Sequence, residues 1–236
     1  FGHIELAKPV FHPGFLKKTK KLLEIVCHNC GRVKLDRSNP AYKAAVSIRD
    51  PKRRFDTIWR LCKPKMICDS DISANDEDFN GDPKEAAKRS HGGCGNTQPE
   101  VRQQALSLWG TWKVPKDEDN DGATAEKKQI TAEMALNVFR SIATSEINDL
   151  GLSTDYARPE WLIITVLPVP PPPVRPSISM DGTGQGMRGE DDLTYKLGDI
   201  IRANGNVRQA QQEGSPAHIL QDFEGLLQYH VATYMD

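Results

Sequence analysis

Five cysteines constrain the folding of this 236-residue chain more than any other feature of its sequence. Cys27 and Cys30 form a CxxCG motif, and Cys94 lies within the run GGCG at 92–95. Tight turns of this kind bring thiolates to one ion, and a structural zinc site takes four such ligands. With Cys68 as the fourth ligand, the sequence predicts a structural zinc site that joins three distant segments of the chain.

Three other side chains compete with this ligand set. Cys62 lies on the apolar face of a predicted helix, where a buried thiol is the favoured interpretation. His28 lies between the two cysteines of the motif and would point away from an ion that both bind. His91 precedes Cys94 by three residues and stays open as an alternative ligand. A redox-active CxxC motif would need a βαβ context, which the sequence does not predict.

The charge of the chain is divided unequally along its length. The formal net charge is −1, but residues 1–66 carry 16 Lys and Arg against 5 Asp and Glu, a net of +11. Residues 67–236 carry 15 Lys and Arg against 27 Asp and Glu, a net of −12. A basic segment of this size is typical of contact with nucleic-acid phosphates, although a solvated face would give the same count. The candidate contacts are Lys17, Lys18, Lys20 and Lys21.

The apolar content is low and nowhere concentrated. No run of 18 apolar residues occurs, which argues against a membrane span, and no leader segment is visible at the N-terminus. Hydrophobic residues make up 38% of the chain. We therefore expect the fold to depend on a metal ion, on partner chains or on a longer parent polypeptide.

Two further motifs match known binding-site patterns in sequence but lack a residue or a neighbouring element that those sites require. Asp117, Asp119 and Asp121 resemble the start of a calcium loop, but Lys128 occupies the position of the required bidentate Glu. Residues 184–189 spell GxGxxG, but no strand leads directly into them, so a dinucleotide site is not predicted. We expect a solvated acidic loop over 115–128 and a flexible glycine-rich loop.

The pattern of apolar residues predicts an α+β fold, mainly helical with short strands. Residues 50–62 predict a helix with Asp50 as its N-cap and Pro51 in its first turn. Residues 131–143 predict a second helix, capped by Thr131. Two strands are expected, one over 105–114 and a buried one over 161–167.

A run of prolines separates this region from the C-terminal part of the chain. The prolines between 168 and 176 predict an extended polyproline II segment, followed by a polar loop over 177–189. Apolar residues then recur at helical spacing in two stretches, with a break around 204–216 between them. Two amphipathic helices around a turn predict an antiparallel helical hairpin.

Seven stretches of the sequence together resemble one known family. They are FGHIELAKPVFH (1–12), CHNCG (27–31), GGCGNTQP (92–99), RPEW (158–161), LPVPPPPVRPSI (167–178), RGEDDLT (188–194) and LQYHVATYMD (227–236). The chain resembles, from its first residue to its last, the N-terminal clamp region of the largest subunit of eukaryotic RNA polymerase II. The resemblance implies that the chain is a piece of a longer, nuclear polypeptide.

The resemblance also implies how the chain is organised. Residues 1–173 would form a clamp core whose zinc ligands are Cys27, Cys30, Cys68 and Cys94. Residues 174–192 would form a lid-like loop at the RNA–DNA hybrid, with Arg175 and Arg188 as phosphate contacts. Residues 190–236 would form the clamp coiled-coil hairpin, which binds transcription initiation and elongation factors.

The implied function is to hold DNA and the RNA–DNA hybrid during transcription, together with the other polymerase subunits and without a membrane partner. The parent enzyme is a nucleotidyltransferase that makes RNA from nucleoside triphosphates. The family's three-aspartate loop for Mg²⁺ is absent, so we expect this segment to be inactive and to bind no Mg²⁺. The alternative from another class is a free-standing, zinc-dependent protein-interaction module.

Overall fold

The computed structural model describes residues 1–70, 92–113, 125–182 and 184–236. His91 and the three aspartates at 117, 119 and 121 lie outside these ranges. The elements, in chain order, are β1 Gly2–Phe11, α1 Leu16–Ile25, α2 Pro40–Val46, α3 Pro51–Cys62, β2 Glu100–Gln104, β3 Ser107–Trp112, β4 Glu126–Ile130, α4 Ala132–Arg140, α5 Thr144–Asp149, β5 Ile163–Val169, β6 Ile178–Ser179, β7 Arg188–Gly189, α6 Asp192–Gln212 and α7 Ala217–Met235. The mixture of helices and small sheets confirms the α+β class.

The chain divides into two compact units. Phe15–Leu162 forms one of them, here called the cysteine unit, and Phe1–Gly14 with Ile163–Asp236 forms the other, here called the strand–helix unit. The region 1–173 that the resemblance implies as a core therefore includes the whole cysteine unit and strands β1 and β5. Among the described residues, no helix combines the length and apolar character that crossing a membrane requires.

Local capping rules determine where the helices of the cysteine unit begin. The Asp50 side chain accepts hydrogen bonds from the backbone N–H groups of Lys52 and Arg53, and Pro51 occupies the first turn of α3. Thr131 caps α4 by accepting from the backbone N–H of Met134. Both helices begin where the sequence predicted, because a cap needs only neighbouring residues.

The sheet of the cysteine unit is larger than the sequence predicted. Strands β2, β3 and β4 form an antiparallel sheet in that order. Strand β3 lies within the expected strand at 105–114, but β4 begins at Glu126, inside the expected loop over 115–128. The sequence of β4 is EKKQI, which lacks the apolar alternation that predicts a strand. Pairing with β3, in which Lys128 lies opposite Gly110, forms the strand instead.

The strand–helix unit packs two helices against a two-stranded sheet. Strand β1 pairs antiparallel with β5, with an irregularity between Glu5 and Val10. Helices α6 and α7 bury one face against this sheet and against each other. The buried cluster consists of Val10, Ile164, Leu167, Ile200, Ala203, Val207, Leu227 and Val231.

Helix α6 runs without a break through the position where the sequence predicted one. It extends to Gln212, so the turn before α7 covers only 213–216 rather than 204–216. Asn204 is 6% exposed, and its side chain donates to Glu5 O (2.9 Å) and accepts from Ala7 N (2.7 Å). These two hydrogen bonds to β1 satisfy the buried side-chain amide of Asn204. The helix can therefore continue through this polar residue.

The proline run is less extended than the sequence predicted. Pro168 is part of β5, opposite His3, and Pro172–Val174 forms a short 3₁₀ turn instead of polyproline II. The fixed φ of proline is compatible with both conformations. Hydrogen bonds from the backbone N–H groups of Val174 and Arg175 to the carbonyls of Pro171 and Pro172 select the turn. Beyond it, β6 and β7 pair within the expected loop over 177–189.

Candidate metal centre

Four cysteine sulfurs lie together in the cysteine unit. The Sγ atoms of Cys27, Cys30, Cys68 and Cys94 are all within 4.8 Å of one another. Cys27 and Cys94 are 3.5 Å apart, and Cys30 and Cys68 are 3.8 Å apart. A tetrahedral ion with metal–sulfur bonds of ~2.3 Å would space its ligands by ~3.8 Å. The four cysteines are therefore positioned to bind one metal ion, and their geometry is compatible with structural zinc.

The CxxCG loop follows directly after helix α1. The backbone N–H of Cys27 donates to Arg32 O (2.8 Å), and that of Gly31 donates to Cys27 O (3.0 Å). Gly31 has φ of 74°, a left-handed conformation that closes the turn. This turn aims the Cys27 and Cys30 side chains toward one point.

The other two cysteines are brought together by a short antiparallel bridge. The backbone N–H of Cys68 donates to Asn96 O (3.0 Å), and that of Gln98 donates to Met66 O (2.7 Å). The bridge pairs Ile67 with Thr97, so the segment after α3 lies beside the segment that carries Cys94. Together with the CxxCG loop, the site joins three segments that are far apart in sequence.

Gln98 connects these segments, and sequence reasoning did not identify it as part of the site. It is 1% exposed, and its Oε1 accepts from His28 N (2.8 Å). Its Nε2 donates to Cys27 Sγ (3.1 Å) and to Asn96 O (3.0 Å). In the sequence, Gln98 is only a polar residue at the end of the glycine-rich run GGCGNTQ. The spacing of apolar residues does not distinguish it from its neighbours.

Hydrogen bonds and burial act differently on the thiols of Cys30, Cys68 and Cys94. Burial raises the pKa of Cys30 to about 12 and also raises the pKa of Cys68. At Cys94 burial opposes ionisation, but hydrogen bonds from the backbone and side chain of Asn96, and from Cys27 and Cys30, lower the pKa to about 7. Because a metal binds thiolates, loading this site must release protons.

Two of the competing ligands lie outside the cluster. Cys62 is fully buried in α3, and burial raises the pKa of its thiol to about 12. The Nε2 atom of His28 lies 2.9 Å from Leu23 O, and burial lowers the pKa of this imidazole to about 4. Within the described ranges, neither side chain joins the four-sulfur group.

The lysines predicted to contact nucleic acid lie on one helix, α1, but three of them have internal partners. Lys17 is exposed. Lys18 Nζ lies 4.8 Å from the Phe55 ring centroid, Lys20 Nζ lies 3.1 Å from Glu24 Oε1, and Lys21 Nζ lies 2.6 Å from Asp56 Oδ1. The Lys21 hydrogen bond lowers the pKa of Asp56. Lys18 and Lys21 thus also join α1 to α3.

A groove of about 470 Å³ opens beside these lysines. It is lined by Lys17, Lys20, Lys21, Trp59, Arg102 and Gln103. The Trp59 ring lies 4.7 Å from Lys21 Nζ, so an aromatic face and several cations share one depression. Lys63 Nζ also lies over this ring, 5.1 Å from its centroid, so the groove is cationic around Trp59.

The two arginines predicted to contact phosphate lie in the strand–helix unit and differ in their surroundings. Arg175 donates from Nε to Pro170 O (3.0 Å) and from Nη1 to Thr194 Oγ1 (3.4 Å), which joins the proline run to the first turn of α6. Arg188 lies in β7 with an exposed side chain.

One comparison with known families bears on this chain. The family model described as RNA polymerase Rpb1, domain 1, matches residues 1–236. The match spans every stretch that carried the resemblance, including both halves of the four-cysteine site. The chain therefore belongs to the RNA polymerase Rpb1 domain 1 family and is part of the largest subunit of DNA-directed RNA polymerase, a nucleotidyltransferase that carries out transcription.

Proposed function

We propose that this chain is the clamp segment of the largest subunit of eukaryotic RNA polymerase II, acting in the nucleus. In this role it holds DNA and the RNA–DNA hybrid while the parent enzyme extends RNA from nucleoside triphosphates. The observation that carries the proposal is the four-cysteine cluster, which joins three segments of the cysteine unit into one body. The segment would hold and position the nucleic acid, and the Mg²⁺-dependent catalysis would belong to other parts of the parent enzyme.

We propose zinc as the ion of the four-cysteine site. Four thiolates in tetrahedral spacing suit zinc, which has no redox role there. Bound zinc would supply a cross-link between Cys27 and Cys30 on one side and Cys68 and Cys94 on the other. N–H groups of Asn29 and Gln98, which donate to Cys27 Sγ at 3.4 and 3.1 Å, would stabilise the thiolate charge.

We propose that the groove beside α1 contacts nucleic acid. Lys17, Lys20, Lys21 and Arg102, which line this groove, would neutralise phosphates. Each phosphate contact releases counterions, so this binding should weaken steeply as the salt concentration rises.

The strand–helix unit would carry the two other functional parts. Residues 174–192 would act as the lid at the hybrid, with Arg188 as an exposed phosphate contact and Arg175 fixing the base of the lid. Residues 190–236 would act as the clamp coiled coil. Its helices expose large apolar side chains, which suits a docking surface for transcription initiation and elongation factors. These exposed residues include Tyr195, Ile201, Leu226 and Tyr229.

Neutralising the groove tests its contact with nucleic acid. In the triple variant Lys17→Gln, Lys20→Gln, Lys21→Gln we expect weaker binding to DNA, because fewer phosphates are neutralised. The slope of log K against log salt should flatten by about 0.9 for each duplex phosphate that no longer has a cationic partner. Fluorescence anisotropy at several salt concentrations measures both quantities.

The matched control neutralises three exposed basic residues away from the groove. Lys43→Gln, Arg49→Gln, Lys52→Gln removes the same charge from α2, the start of α3 and the loop between them. An equal slope in both triple variants would mean that only net charge matters and that the groove is not a binding site.

A further inference from the structure

The four sulfurs of the candidate metal centre differ in their access to solvent. Cys27 and Cys68 are fully buried, and Cys30 is half-buried. Cys94 is exposed, and both of its neighbours in the chain are glycines, which carry no side chain to cover its sulfur. A small solute in water therefore reaches the cluster most directly at Cys94.

The surroundings of Cys94 suit oxidation as well as metal binding. Asn96 Nδ2 donates to Cys94 Sγ (3.2 Å), and such a donor stabilises a thiolate. A second sulfur, Cys27 Sγ, lies 3.5 Å from Cys94 Sγ. A disulfide bond is ~2.05 Å long, so a small movement of the side chains brings the two sulfurs to bonding distance. An accessible thiolate with a second thiol beside it is the arrangement of redox-sensitive cysteines.

We propose that Cys94 is a site of oxidation by peroxides and that Cys27 converts the oxidised sulfur into a disulfide. In the first step the Cys94 thiolate attacks hydrogen peroxide, the O–O bond breaks, and the products are a sulfenic acid and a hydroxide ion. In the second step the Cys27 thiolate attacks the Cys94 sulfur, the S–O bond breaks, and a second hydroxide ion leaves. Two electrons pass from the two thiolates to one peroxide molecule.

This oxidation would regulate the metal centre. A Cys27–Cys94 disulfide leaves only Cys30 and Cys68 as thiolates, whereas a structural zinc site takes four ligands, so the ion would be released. The new bond would still join the CxxCG loop to the segment that carries Cys94. The hydrogen bond from Cys68 N to Asn96 O (3.0 Å) does not involve a thiol and would persist. The release of zinc rests on the proposed zinc site, but the oxidation of Cys94 does not.

Cys62 provides an internal control for access. It is fully buried in α3 and lies outside the four-sulfur group. It meets the same oxidant in the same molecule, so it should stay reduced while Cys94 reacts.

Treatment of the zinc-loaded chain with one equivalent of hydrogen peroxide tests the site. A coloured chelator follows the release of zinc, and tandem mass spectrometry of tryptic peptides, before and after reduction, maps the disulfide. We expect loss of the bound zinc in step with formation of the Cys27–Cys94 disulfide. Dimedone, which traps sulfenic acids, should label Cys94 when it is added together with the peroxide. Dithiothreitol and fresh zinc should restore the metal content, because a disulfide is reversible.

The matched variant is Cys62→Ser, which removes a thiol outside the cluster. It should release zinc at the same rate as the unmodified chain. Faster or slower release by this variant, with Cys62 oxidised in the unmodified chain, would assign the reaction to Cys62 and overturn the proposal.

Two further results would overturn it. One is a first disulfide between Cys30 and Cys68, whose sulfurs lie 3.8 Å apart, with Cys94 still reduced. The other is a chain that keeps its zinc and all of its thiols in peroxide. Zinc content measured before the oxidant is added tests the zinc site separately. In a chain that binds no zinc, the Cys27–Cys94 disulfide would still support the oxidation site, and its absence would contradict it.

Discussion

We expect Cys68→Ser to destabilise the cysteine unit far more than Cys62→Ser. Zinc binding to a structural site contributes roughly 10–16 kcal/mol of folding free energy, so removal of one of four ligands should cost on the order of 5 kcal/mol. Cys62 is buried in α3 and outside the sulfur cluster. Its replacement buries a hydroxyl beside the same backbone N–H of Leu35, which costs at most about 1–3 kcal/mol.

Urea unfolding of both variants, followed by far-UV circular dichroism in the presence of zinc, measures the difference. The expected result is a large loss of stability and of bound metal for Cys68→Ser, and full metal content for Cys62→Ser. Equal losses of stability in the two variants would mean that Cys68 is an ordinary buried thiol and that the ligand set is wrong.

Gly31→Ala also has a large expected effect, through the backbone of the CxxCG loop. Gly31 has φ of 74°, and a Cβ atom placed there would lie 2.6 Å from Ser141 Cβ and 2.8 Å from Ser141 O. The left-handed conformation alone costs an alanine ~1–2 kcal/mol. The collision with the Ser141 backbone adds strain that no side-chain rotation relieves, so we expect a total cost of about 3–5 kcal/mol.

Gly95→Ala is the matched control, since it combines the same backbone conformation with free space. Gly95 has φ of 73°, and the nearest atom to an added methyl group would be Ser70 Cβ at 3.5 Å. Thermal unfolding and zinc affinity should both change more for Gly31→Ala than for Gly95→Ala. Equal shifts in melting temperature would show that the Ser141 backbone moves away from the added methyl group. The close approach of Ser141 would then not require glycine at position 31.

Features that depend on neighbouring residues were predictable from the sequence. The starts of α3 and α4 followed from Asp50, Pro51 and Thr131, because a cap and its helix lie within a few residues. The four-cysteine cluster was predictable for a related reason. Thiols beside tight turns have few other roles in such a context, and the structure brings all four within 4.8 Å.

Features that depend on distant contacts were not predictable. The break expected at Asn204 is a continuous helix, because the Asn204 amide bonds the backbone of β1 at Glu5 and Ala7, about 200 positions away in the chain. Gln98 is likewise defined by its partners His28 and Cys27. A single sequence gives no sign of which polar side chain will be buried and satisfied in this way.

The basic segment shows how a charge count and a surface can differ. Lys20 and Lys21 contribute to the excess of positive charge, yet their ammonium groups pair with Glu24 and Asp56. Lys34 contributes equally to the count and is buried. The composition thus indicated an anionic partner. Which basic residues are free to contact that partner depends on how α1 packs against α3.

The metal content of the purified chain shows whether the four cysteines hold one zinc ion that shapes the cysteine unit. Inductively coupled plasma mass spectrometry, combined with circular dichroism before and after chelation, measures metal and fold together. The proposed zinc site predicts one zinc per chain and loss of structure in Phe15–Leu162 when the zinc is removed. A chain that is folded and free of metal would contradict it.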